Sequence, residues 1–213
     1  MYIPPAFAAP GDAAVLALLR EVVLAQTVWS DATGALQATP LPWLEREGEP
    51  PLRLQAHLPR ANPLVDWLRG AAGRPLLLSF QGPSAYVSPN WYPSKARTER
   101  MVPTWNYASV LVHGEAQLHD DPDWVLAQIE ALTDQQEGRQ PRPWRVADAA
   151  AGHVAQLLRV LVGVELRVQR IEAKFKLGQN RSAEDRAGLA EGLAAAGDPA
   201  SAALLALMRE SGC

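Results

Sequence analysis

A chain of 213 residues with 48% hydrophobic and 20% charged residues suits one globular domain with additions, or two small ones. Its formal net charge of −3 withholds the basic surface on which non-specific nucleic-acid binding depends, although a local basic patch stays possible. The single cysteine, Cys213, excludes an internal disulfide and a cysteine-ligated zinc site, and no run reaches the roughly 20 apolar residues of a membrane helix.

The opening Tyr2-Ile3-Pro4-Pro5 lacks the basic and apolar regions of a secretory signal, so a reducing, cytoplasmic location is expected. Residues 12–25 read as a helix: Asp12 can cap it, and Val15, Leu18, Leu19, Val22 and Val23 share a face. Thr27 to Trp29 reads as a strand, 31–34 as a turn, and Leu36 to Leu44 as a return strand. Pro40 and Pro42 confine that return strand to a sheet edge. Glu47-Gly48-Glu49 reads as another turn. Leu52 to Leu58 alternates, as a strand with one covered face does. Asn62-Pro63 has the residue types that start a helix.

Arg74 to Gln81 reads as a buried strand, which Gly82-Pro83 is expected to break before Ser84 to Val87 resumes it. A polar loop, 88–100, precedes the clearest strand, Val102 to His113, which Glu115 to Leu118 extends past Gly114. Helices are expected over 121–137 and 147–158. Residues 161–176 read as one long strand whose apolar parity changes, from Val162, Val164 and Leu166 to Ile171, Ala173 and Phe175. A side-chain period of two predicts a bulge or break near Gln169-Arg170. Ser182 with Asp185 resembles a capping box, and Asp198-Pro199 opens a last helix. Short strands around one long strand, with helices added, predict a small barrel.

Three stretches combine chemistry-bearing residues. The first is Tyr86 to Lys95, followed by Arg100 and by Val102-Pro103-Thr104-Trp105-Asn106-Tyr107. Its hydroxyls, cations and aromatics suit a planar ligand with a phosphate, and equally a proline-rich loop over a core edge. The second is Lys174 to Arg181, which also fits a solvated strand end. The third is His57 to Pro63, which also fits a strand, a turn and a cap. The four histidines show no metal spacing, and Gly82-Pro83-Ser84 is not a nucleophile elbow.

Met1 to Phe7, His57 to Pro63, Ala85-Tyr86-Val87-Ser88-Pro89-Asn90-Trp91-Tyr92-Pro93-Ser94-Lys95, Val102 to Tyr107 and Lys174-Phe175-Lys176-Leu177-Gly178-Gln179-Asn180 together resemble the PaiB family of FMN-binding negative transcriptional regulators. The likeness runs in order from residue 1 to about 190. It implies an α+β, mainly β fold: a six-stranded antiparallel FMN-binding split barrel with flanking helices over 1–180, and a helical extension over 181–213. It also implies a homodimer with FMN along the interface. The residues it places near the cofactor are His57, Arg60, Ser88, Trp91, Tyr92, Ser94, Lys95, Arg100, Thr104, Asn106, Lys174 and Lys176. The chain departs from the family in three places: Arg100 replaces a usual Lys, Pro40 stands where a His is common, and Gly178 replaces a usual Ser.

The resemblance makes a flavin-binding regulator the leading function, with FMN as cofactor, no membrane partner, and DNA as a weakly supported one. A split-barrel flavin-dependent oxidoreductase of unknown substrate is the alternative, because the flavin itself would carry the redox chemistry. A haem protein with His57 as ligand and a scaffold with a decayed pocket are the remaining readings.

Overall fold

The computed structural model describes residues 1–46, 51–70, 73–150 and 152–213. The turn expected at Glu47-Gly48-Glu49 lies outside the described residues. Seven strands form one antiparallel sheet: β1 (Leu24–Ser30), β2 (Leu36–Pro42), β3 (Leu44–Arg46), β4 (Arg53–Pro59), β5 (Arg74–Val87), β6 (Thr104–His119) and β7 (Leu161–Lys176). Their order is β2-β1-β5-β6-β7-β4-β3. The expected six-stranded barrel is therefore corrected on two points. There are seven strands, and no pairing closes the sheet between its end strands β2 and β3 among the described residues.

The extra strand arises where one irregular strand was expected. β2 pairs with β1 from Ser30↔Leu36 to Leu24↔Pro42. Trp43 then donates its N–H to the Val23 carbonyl at 2.9 Å. From Leu44 the chain pairs instead with β4, as Leu44↔Gln55. The prolines do sit on an edge strand, where a missing N–H costs no ladder bond.

The helices follow their caps. α1 (Asp12–Val22) stops short of the expected residue 25, because β1 begins at Leu24. Asn62, Asp121, Ser182 and Asp198 each accept a backbone N–H at the start of α2 (Pro63–Arg69), α4 (Pro122–Glu137), α6 (Ala183–Ala196) and α7 (Pro199–Glu210). α3 (Lys95–Thr98) is a single turn in the loop after β5. α5 (His153–Leu158) is shorter than the helix expected over 147–158.

β5 runs unbroken through Gly82-Pro83, against expectation. Its register with β1 covers only Leu77 to Ser79, so Pro83 lies beyond that ladder. Gly82 saves space there: a Cβ would come 2.6 Å from Leu18 Cδ1 and 3.2 Å from Ala108 Cβ. β7 is likewise one continuous strand, so the break expected near Gln169-Arg170 does not occur; the buried residues still change parity, from Val162, Val164 and Leu166 to Phe175 and, just past the strand, Leu177.

The chain divides into two compact units, and β5, β6 and β7 contribute to both. The first unit comprises Met1–Val22, Gln81–Leu111 and Glu172–Cys213. Its core holds Leu19, Val87, Ala108, Val110, Phe175, Leu177, Leu189, Leu193 and Leu204. The second comprises Val23–Phe80 and Val112–Ile171. Its core holds Trp43, Leu54, Leu58, Leu64, Leu78, Phe80, Val164 and Leu166. There Trp43 Nε1 donates to the buried Thr27 hydroxyl at 2.9 Å. α4 docks on β4 through buried Gln128, which donates to the Gln55 carbonyl at 3.4 Å.

Candidate functional site

The site is built within the first unit, from the loop after β5 and the chain that leaves β7. Ser88 caps a single 3-10 turn, Pro89–Trp91, by accepting the Asn90 N–H. Tyr92 then turns inward and is 3% exposed. The Arg181 guanidinium lies 5.0 Å from the centre of its ring. Burial pushes the Tyr92 phenol up, which keeps it protonated, and Arg181 only partly opposes this. Ser94 donates both its N–H, at 3.0 Å, and its hydroxyl, at 2.8 Å, to the buried Asp185 carboxylate. Burial pushes Asp185 up, but the bonds from Ser94 and Ser182 and the charge of Arg181 outweigh it, so the carboxyl sits below its ordinary range. Arg97 pairs with Glu184 through both guanidinium nitrogens, at 3.1 and 2.6 Å. The tryptophan-tyrosine-proline loop is thus fastened to the start of α6.

At the end of β7, Lys176 Nζ donates to the Thr104 hydroxyl and to the Trp105 carbonyl, the latter at 2.7 Å. Lys174 Nζ lies 5.5 Å from the Tyr107 ring and 5.9 Å from the Tyr2 ring. Burial pushes the Lys176 ammonium down; Tyr107 opposes this, while Lys174 and Arg181 add to it. Among the described residues no carboxylate forms an ion pair with Lys174, Lys176 or Arg181. Lys176 feels the charge of both Lys174 and Arg181, and Arg181 also acts on the Asp185 carboxylate; the net positive charge of this corner favours an anionic ligand. Beside them, Asn106 is 2% exposed and its Nδ2 has no hydrogen-bond partner. A buried donor left unpaired costs about 1–3 kcal/mol. A ligand acceptor would remove that cost.

The structure thus brings Tyr92 and Ser94 against the segment that follows Lys174 and Lys176, and sets Thr104 on Lys176. Lys95 donates to Asn90 Oδ1. Arg100 is exposed. Trp91 packs against α6, where Gly188 and Gly192 leave room for it. His57 and Arg60 belong to the second unit. His57 Nδ1 is 2.7 Å from Gln128 Oε1, which gives that ring a structural partner. Arg60 donates to the Arg159 carbonyl at 3.0 Å and pairs with Asp120. The sequence reading included Arg181 at the end of its second stretch but placed neither Arg181 nor Asp185 among the cofactor residues. Arg181 was legible as a third cation within eight residues of Lys174; Asp185 was legible only as a cap residue.

Residues 1–170 match the family model described as "Putative FMN-binding domain". The chain belongs to that FMN-binding family. FMN is accordingly its cofactor. The match stops before Lys174, but the likeness to Bacillus subtilis "Protease synthase and sporulation protein PAI 2" does not: 27% identity over 210 residues covers 99% of this chain and 97% of that one. The PaiB resemblance therefore holds along the whole length. An uncharacterized protein of Emericella nidulans is 32% identical over 148 residues, 64% of this chain and 59% of its own length. Among solved structures, a conserved hypothetical protein of Mycobacterium tuberculosis superposes with a TM-score of 0.59 at 12% identity, covering 84% of this chain and 93% of that one. The FAD and heme binding protein of Mycobacterium smegmatis superposes with a TM-score of 0.58 at 20% identity, covering 84% and 78%. At these identities the likeness is one of fold.

The residues of the first unit fit the family's cofactor. FMN carries a phosphate, toward which Lys174, Lys176 and Arg181 supply positive charge, and a ring edge rich in acceptors, for which Asn106 Nδ2 is an unpaired donor. Gly178, at φ +93°, takes a left-handed backbone here, and a Cβ would meet Leu189 Cδ2 at 2.9 Å and Asn106 Nδ2 at 3.8 Å. No helix is long and apolar enough to cross a membrane among the described residues.

Proposed function

We infer that this protein is a homodimeric, PaiB-like regulator in which bound FMN serves as the signal that represses expression of its targets. The cluster of Lys174, Lys176 and Arg181, beside the unpartnered Asn106 Nδ2, carries this reading. Lys176 and Arg181 hold the phosphate, Lys174 and the loop cations Lys95 and Arg100 add field, and Thr104 and Asn106 meet the ring. FMN would bring one- and two-electron redox chemistry to the site. The chain's own residues bind it, orient it and screen it from water.

The regulatory part draws on the full-length likeness to PAI 2, whose name ties that protein to protease synthesis and sporulation. A net charge of −3 argues for an effect relayed through a partner rather than through broad contact with DNA phosphates. The test is equilibrium titration of the purified protein with FMN, followed by flavin absorbance, in the wild type and in Lys176→Ala and Arg181→Ala. A shifted flavin spectrum with weaker binding in both variants supports the site. Bleaching of the bound flavin on mixing with NADPH would move the function to a flavin-dependent oxidoreductase. Salt-sensitive binding to the protein's own promoter region would make the DNA contact direct.

A further inference from the structure

The end of β5, the start of β6 and the junction of α6 with α7 enclose a separate pocket of about 310 Å³ in the first unit. Its walls are aromatic. Tyr86 and Trp105 meet edge to face, with ring centroids 6.4 Å apart and planes at 75°. They stay 46% and 57% exposed, so the pair keeps ring surface open to solvent. Trp91 forms a third wall and is braced from behind by α6 at Gly188 and Gly192. The charged residue lining the pocket is Asp198. Its Oδ1 accepts the Ser201 N–H at 3.0 Å, and its bonds to Ser201 hold the carboxyl below the ordinary range, so it is ionised at neutral pH. No Lys or Arg lines this pocket among the described residues.

This charge pattern is the reverse of the one around Lys176. The faces of tryptophan and tyrosine rings are electron-rich and attract cations, most of all those that shed water easily. One full negative charge on Asp198 outweighs the partial positive charge that the α7 N-terminus contributes, about half a unit. A phosphate-bearing ligand is repelled here and drawn to Lys174, Lys176 and Arg181. A neutral aromatic ligand would use the rings and leave the carboxylate idle. We propose that Tyr86, Trp91, Trp105 and Asp198 form a recognition site for a small organic cation of the alkylammonium class, with a methylated ammonium head seated among the rings. The site borders the flavin corner, where Lys176 donates to the Trp105 carbonyl, but does not rest on the flavin reading.

The probe is choline, compared by calorimetry and tryptophan fluorescence with its uncharged tert-butyl carbon isostere, which has the same shape. Choline is expected to bind at least about tenfold more tightly than the isostere. Asp198→Asn keeps the helix cap, since Asn caps as well as Asp, and removes only the charge. It should weaken choline at least about fivefold, leave the isostere and FMN affinity unchanged, and lower the melting temperature by only a few degrees through the charge lost at the α7 N-terminus. Tyr86→Leu, on an exposed side chain, should weaken choline while the protein stays folded. The proposal is overturned if choline does not bind, if choline and the isostere bind alike, or if Asp198→Asn weakens FMN as much as choline. The last result would make the pocket part of the flavin site. Failure of FMN to bind at all would sink the flavin reading and leave this one standing.

Discussion

Replacing Asp185 by alanine should release the loop that carries Tyr92, Ser94 and Lys95. The carboxylate is 3% exposed and accepts two bonds from Ser94, at 3.0 and 2.8 Å. A hydrogen bond to a charged acceptor contributes about 1.5–3 kcal/mol, and two on one carboxylate add less than fully. The loss is therefore about 3 kcal/mol. At roughly 2–4 °C per kcal/mol for a chain of this size, the melting temperature falls by about 6–12 °C. The α6 cap survives, because the Ser182 hydroxyl still accepts the backbone N–H of residue 185. Asp185→Asn keeps an acceptor for the Ser94 N–H and should cost only about 1 kcal/mol.

The pH dependence has a fixed sign. Asp185 is held below its ordinary value, so its contribution is complete above the unfolded value of about 3.9 and fades as pH falls through the folded value. The gap between wild type and Asp185→Ala should thus be full at neutral pH and close in acid. Thermal melts measure it, and trypsin should cut faster at Arg97 and Arg100 in the alanine variant. An alanine variant that melts within about 2 °C of the wild type and resists trypsin equally would refute the reasoning.

Three further outcomes follow. Gly192→Ala would ordinarily gain about 1 kcal/mol in a helix, but its Cβ lands on the Trp91 ring; a net loss of about 1–2 kcal/mol and a shifted tryptophan emission are expected. Thr27→Val removes the acceptor of the Trp43 indole, both residues being buried; a loss of about 1–3 kcal/mol should appear in denaturant titration, with less in Thr27→Ser. Because burial lowers Lys176, FMN binding should weaken as pH rises through a value below the ordinary lysine range, and this decline should vanish in Lys176→Met when binding is followed across alkaline pH.

Much of the fold was legible because local chemistry and tertiary structure agree. Asn62, Asp121, Ser182 and Asp198 sit where caps are needed and do cap. Pro40 and Pro42 marked an edge strand correctly, whereas the parity change in β7 suggested a break near Gln169-Arg170 that the continuous strand lacks. What failed was set by distant partners. Gly82-Pro83 looks like a break, yet β5 continues because β1 has already ended its ladder and Leu18 presses against the glycine. The seventh strand exists because Leu44 to Arg46 find β4, which no local signal announces. In the site, Lys174, Lys176, Thr104 and Asn106 were singled out from residue type and from the family likeness. Arg181 was not, since a cation after a strand reads as solvated until Tyr92 is seen beneath it.

The central claim is that an anion-binding corner made by Lys176 and Arg181 holds the phosphate of FMN. Calorimetric titration with FMN, and with riboflavin, which lacks the phosphate, tests it most directly in wild type, Lys176→Ala and Arg181→Ala. The account predicts that wild type prefers FMN and that each variant loses roughly 10- to 100-fold for FMN while riboflavin is nearly unaffected. Equal affinity for the two flavins, or variants that bind FMN as the wild type does, would contradict it.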